Sequence, residues 1–94
     1  MIAADGATHE MTLVAGVSRY VGRHSSTDIT LHHESVGRRA LLVRLDESGV
    51  VRIDDTGSGG GSMLNGVERP RDAVVRDGDE LHVGALAFRV RLVS

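Results

Sequence analysis

The period of the apolar residues constrains this chain more than any other feature. They recur at every second position, in runs too short for anything but β-strands, and each run is stopped by Gly, Asp, Asn or Ser. Met11, Leu13 and Ala15 alternate with Thr12 and Val14, and Ile29 and Leu31 share one face. Leu41, Val43 and Leu45 face away from Arg44, and Val51 and Ile53 away from Arg52. Leu86, Phe88, Val90 and Leu92 point one way, Arg89 and Arg91 the other. Successive strand side chains project to opposite sides, so each run has one face to bury. No long stretch carries a helical period, and the single candidate for a helical turn is Glu34-Ser35-Val36. Short strands of this kind with regular turn signals predict an all-β fold, a sandwich or a barrel.

The turn chemistry orders the strands. Asp46-Glu47-Ser48-Gly49 separates two alternating runs and predicts a hairpin. Asn65-Gly66 predicts a tight turn between Met63-Leu64 and Val67-Glu68, and Asp77-Gly78-Asp79 predicts another. The glycine-rich stretch Thr56 to Ser62 has strands on both sides, so it reads as a loop inside one domain spanning 1–94. The inward positions name a core of Ile29, Leu31, Leu41, Val43, Val51, Ile53, Leu81, Val83, Phe88 and Val90.

Ninety-four residues make a real but shallow core, since a chain of this size buries only about 60–65% of its unfolded surface. No wrapped catalytic cavity is expected. The chain has no cysteine, hence no disulfide, thiolate metal site or cysteine nucleophile; no metal or cofactor is expected. Gly57 to Gly61 lacks the Lys-Ser/Thr of a phosphate-binding loop and leads into a strand. His32 and His33 are adjacent and so diverge on an extended chain; with His24 they read as exposed or turn-stabilising residues. Ser35, His33 and Asp55 can be written as a triad, but nothing marks a strained nucleophile turn, and the reading is non-enzymatic. The net charge is −2 and there is one Tyr and one Phe, which argues against nucleic acid as partner. No apolar run approaches the ~20 residues of a membrane span, and Met1–Gly6 shows no basic-then-apolar leader. A cytoplasmic location is the expectation. All eleven basic residues are arginine, a bias that fits GC-rich coding, although arginine is also the side chain that forks onto oxyanions.

Five blocks, in order, resemble the forkhead-associated (FHA) domain. They are Val21-Gly22-Arg23; Thr27-Asp28-Ile29-Thr30-Leu31; Val36-Gly37-Arg38-Arg39-Ala40; the segment from Asp55 through Ser58, Gly59, Gly60 and Gly61 to Asn65-Gly66; and Asp77-Gly78-Asp79-Glu80-Leu81-His82-Val83-Gly84. The family pattern at these places is Gly-Arg, Asn-Asp-Ile-x-Leu, Val-Ser-Arg-x-His, Asp-x-x-Ser-x-Asn-Gly-Thr-x-x-Asn-Gly and Gly-Asp-x-Ile-x-x-Gly. The resemblance implies a two-sheet antiparallel β-sandwich, with binding loops at one end that read phosphothreonine peptides.

Residue by residue, the resemblance keeps the scaffold positions Gly22, Asp28, Asn65, Gly66, Gly78, Asp79 and Gly84. It implies that Arg23 holds the phosphate-contacting arginine position and that Arg38 and Ser58 are retained. The phosphate-bonding serine is Gly37 here, the second phosphate contact is Gly59, the peptide-holding asparagine is Gly60, and the histidine that props the loop is Ala40. A hydrogen bond to a charged group contributes about 1.5–3 kcal/mol. Two lost contacts remove roughly 3–6 kcal/mol of the about 8 in a micromolar complex. The resemblance therefore implies an interaction module for a protein or peptide partner that does without phosphothreonine. The alternative is a weak or altered phosphothreonine-peptide reader using Arg23 and Arg38. Restoring Gly37→Ser, Gly59→Thr and Gly60→Asn is expected to recover phosphopeptide binding.

Overall fold

The computed structural model describes residues 2–3 and 8–93. Among the described residues, ten strands follow one another: β1 (Ile2–Ala3), β2 (Ser18–Gly22), β3 (Ile29–Thr30), β4 (Leu41–Leu45), β5 (Val51–Asp55), β6 (Ser62–Leu64), β7 (Val67–Glu68), β8 (Ala73–Val75), β9 (Glu80–Val83) and β10 (Leu86–Arg89). They form two five-stranded sheets, ordered β1-β10-β9-β6-β7 and β3-β2-β4-β5-β8. The result is the expected β-sandwich, antiparallel throughout except for the short parallel pair β2–β3. Glu34-Ser35-Val36 forms no helix; it is a hydrogen-bonded turn in which the Val36 N–H reaches His33 O at 3.1 Å.

The hairpin after Leu41 shows how the alternation works. Val43 pairs with Ile53 and both face the core, while Arg44 pairs with Arg52 on the solvent side. Its turn is organised by Asp46, whose carboxylate accepts from the Ser48 hydroxyl, the Val50 and Ser48 N–H groups and the Arg52 Nε–H. The Ser48 hydroxyl, then the Val50 N–H, lower the Asp46 pKa to about 2. Asn65 and Gly66 adopt φ of 49° and 82°, the left-handed pair that a two-residue hairpin turn requires. Asn65 also braces the sheet, its Oδ1 accepting the Glu80 N–H at 2.9 Å.

All ten expected core residues are buried, and Val21, Val36, Ala40, Leu64 and Val75 join them between the sheets. The Met11–Ala15 segment departs from expectation. Met11 and Leu13 are half-buried against the core, but the segment is not part of a strand. Its alternation records which side meets the core, without a ladder. β10 likewise stops at Arg89, and Leu92 stays partly exposed.

The solvent face of the β3-β2-β4-β5-β8 sheet is laced with ion pairs. Arg44 reaches Asp54 and Asp72, each at 2.9 Å; Arg52 reaches Asp46 at 3.3 Å; and Arg19 reaches Asp28 at 3.3 Å.

Candidate functional site

The loops that follow β2, β3 and β5, together with the β9–β10 turn, converge at one end of the sandwich. Backbone bonds stitch them together. The Arg23 N–H donates to Gly37 O at 2.9 Å, His24 N–H to Arg38 O at 3.1 Å, Thr56 N–H to Ala40 O at 3.1 Å and Gly60 N–H to Ser35 O at 3.1 Å. Val36 and Gly59 form an isolated antiparallel bridge. Gly22 lets the second loop approach, because a Cβ there would lie against Arg38 O and 2.8 Å from its carbonyl carbon.

Short side chains clasp each loop. Buried Thr27 closes the β2–β3 loop, its Oγ1 within 2.6 Å of His24 O and 3.0 Å of Ile29 O. His24 and His33 serve their loops alike. Each Nδ1 accepts the N–H of the serine two residues on, at 3.0 Å for Ser26 and 3.1 Å for Ser35, and each also meets that serine's hydroxyl. Ser35 Oγ in turn accepts the Ala85 N–H at 2.8 Å, tying the β9–β10 turn to the site. At the base of the glycine-rich loop, buried Asp55 accepts from the Gly57 N–H at 2.7 Å and the Ser62 hydroxyl at 2.6 Å, with Arg69 at 3.5 Å. Sequence reasoning gave Thr27 and Ser62 no such role, and named Ser35 only as a helical-turn and triad candidate. The His-x-Ser spacing, present twice, is the signal that was available for Ser35.

The six expected site residues do gather here. Arg23 is exposed and anchored by Nε, which donates to Val36 O at 3.2 Å. Ser58 Oγ donates to Arg39 O at 3.1 Å. Arg38 is exposed and its side chain has no hydrogen-bond or ion-pair partner among the described residues. Gly37 and Gly59 do not flank an open space; they touch. A Cβ on Gly59 would run into Gly37 N and Cα, and Gly59 has φ of +66°. A Cβ on Gly37 would fall 2.5 Å from Ser58 O and 2.6 Å from Ser58 C, and one on Gly60 2.7 Å from Ser35 O. Those neighbours are backbone atoms, which side-chain rotation cannot move. The expectation that three substitutions rebuild the reading side chains is therefore corrected: in this loop packing the space for them is occupied.

A family model for the FHA domain matches residues 19–84, which run from the second residue of β2 through β9 and include the β2–β3, β3–β4 and β5–β6 loops. The chain belongs to the FHA domain family. FHA domains are interaction modules that bind phosphothreonine peptides. This FHA domain is similar in structure to one analysed for phosphothreonine-dependent interactions, at 27% identity, TM-score 0.83, over 99% of this chain and 94% of the other. It is similar to the FhaA FHA domain complexed with the intracellular domain of Rv3910, at 27% identity, TM-score 0.78, over 92% and 91%. It also shares the fold of the N-terminal FHA domain of S. cerevisiae Rad53p in complex with a phosphothreonine peptide, at 21% identity, TM-score 0.74, over 92% and 86%. Comparison with curated protein sequences finds no match. Among the described residues of this FHA domain, no helix is long and apolar enough to cross a membrane.

Proposed function

We propose that this FHA domain, taken as one module over 1–94, is a non-catalytic, intracellular protein-interaction domain that binds its partner without requiring phosphothreonine. The contact between Gly37 and Gly59 carries this reading. The positions that supply phosphate-bonding hydroxyls in the family pattern have no side chain here, and their backbones close on one another. The scaffold that presents the loops is intact, while the side chains that would contact phosphate are absent. The lack of cysteine supports the intracellular placement.

One observation favours a second reading. Arg23 and Arg38 both remain exposed at the loop end, and a guanidinium is a competent phosphate ligand. Calorimetric titration with matched phosphothreonine and threonine peptides separates the two. The proposal expects no preference for the phosphorylated member. A preference of about tenfold or more, abolished by Arg23→Ala, would establish the weak reader instead.

A further inference from the structure

Beside the closed glycine contact lies an open groove of about 500 Å³, lined by Tyr20, His24, Arg38, Arg39, Thr56 and Ser58. It sits where the solvent face of β2 meets the β3–β4 and β5–β6 loops. Tyr20 is next to buried Val21 on β2, so its ring faces outward, and the Arg39 guanidinium stacks over it at 5.6 Å from the centroid. The groove holds two guanidinium groups and no carboxylate among its lining residues. Arg19, Arg44, Arg52, Arg69 and Arg71 all lie within 4.0 Å of an aspartate. Arg38 and Arg39 have no acidic partner among the described residues, and they are consecutive. Arg23, Arg76, Arg89 and Arg91 also lack one, but Arg23 and Arg89 each bond a backbone carbonyl, and Arg76 and Arg91 belong to the β8–β9 turn and the segment after β10.

The Thr56 and Ser58 hydroxyls of the groove are already committed to the loop. Thr56 Oγ1 donates to the Arg39 and Ala40 carbonyls, and Ser58 Oγ to the Arg39 carbonyl. Both hydroxyls are thus engaged with the loop's own carbonyls, which leaves the two guanidiniums as the charged donors of the groove. A compact phosphate dianion wants several donors converging on one point. Two planar forks on neighbouring residues, one fixed on an aromatic ring, instead match carboxylates spaced along a strand of peptide.

We propose that this groove is the partner-docking site of the domain and that it takes an unphosphorylated acidic peptide segment, its Asp or Glu carboxylates paired with Arg38 and Arg39 beside the Tyr20 ring. This rests on the phosphothreonine-independent reading and gives the partner a chemistry. The segment carries charge opposite to the groove, so binding weakens as added salt shortens the screening length.

The test is an NMR and fluorescence-anisotropy titration of the 94-residue chain with three octapeptides: one rich in Glu and Asp, its Gln/Asn counterpart, and a phosphothreonine peptide without other acids. The acidic peptide should bind at least about tenfold tighter than the amide peptide. Shifts should centre on Tyr20, His24 and Thr56, and Arg38→Glu or Arg39→Glu should remove the difference while Arg76→Ala, in the β8–β9 turn, leaves it. The Arg38 side chain makes no internal bond, so that variant stays folded, which its thermal melt confirms. Equal binding of the acidic and amide peptides, or shifts elsewhere, overturns the groove assignment and leaves the phosphothreonine-independent reading in place. Preferred binding of the phosphothreonine peptide, dependent on Arg23, overturns that reading and the groove with it.

Discussion

The solvent face of the β3-β2-β4-β5-β8 sheet and the loop end above it both use arginine, in opposite ways. On the sheet, Arg44 is shared between Asp54 and Asp72, and Arg52 between Asp46 and Asp72. Charge is cancelled within the molecule, and the face offers a partner little. At the loop end Arg23 bonds only a carbonyl, Arg39 only a ring, and Arg38 nothing among the described residues. What holds that end together is backbone contact, Gly22 against Arg38 and Gly37 against Ser58 and Gly59, with the clasps made by Thr27, Ser35 and Asp55. The difference teaches that order at the loop end does not depend on its cations, which stay available for an outside anion.

The largest expected effect comes from cutting the anchor between the two regions. Asp55→Ala leaves the Gly57 N–H and the Ser62 hydroxyl without their acceptor at a buried site, and should cost about 2–3 kcal/mol in urea unfolding. An unchanged midpoint would mean the glycine-rich loop is not held from below. Gly37→Ala comes next. Its methyl meets the Ser58 backbone, an overpacking that should cost about 1–3 kcal/mol and shift the amide resonances of residues 57–60. A silent substitution would show that the loops do not touch.

On the sheet side, the pH dependence of stability isolates Asp46. Its folded pKa of about 2 lies below the ordinary 3.8, so the folded state holds its proton less readily. The stabilisation is present above about pH 4 and is lost as pH falls through about 2. Asp46→Asn should flatten the acid limb of the stability curve over that interval; an unaltered limb rejects the assignment. Smallest of all, Arg38→Glu should leave stability within about 0.5 kcal/mol, where a larger loss would reveal an internal role for that guanidinium.

Much of the frame is legible in the sequence because its causes are local. Alternation names the inward residues of β4, β5, β9 and β10, and Asn65-Gly66 names its turn, since both depend on neighbours along the chain. Val36, Ala40 and Val75 escaped notice because they are buried by position in space, in segments too short to show a period. The parallel pairing of β2 with β3 has no local signature either. At the site, Arg23, Gly37, Arg38, Ser58, Gly59 and Gly60 were located through the family pattern, and they do lie together. The pattern reported only what Gly37 and Gly59 lack. It could not report that residues 22 positions apart come into contact, because that depends on how three loops stack. The Arg38–Arg39–Tyr20 groove was hidden for the same reason: Tyr20 reads as an ordinary outward strand residue until Arg39 is seen above it.

The central claim is that the phosphate-reading position is filled by the domain's own backbone. The most direct measurement is a ¹H–¹⁵N titration of the free domain with a phosphothreonine peptide, followed at Arg23, Gly37 and Gly59. The account predicts that Gly37 and Gly59 stay unmoved up to millimolar peptide, with any salt-sensitive drift confined to the exposed arginines. Saturable, peptide-specific shifts at both glycines would contradict it, because they require the two loops to part and admit the phosphate.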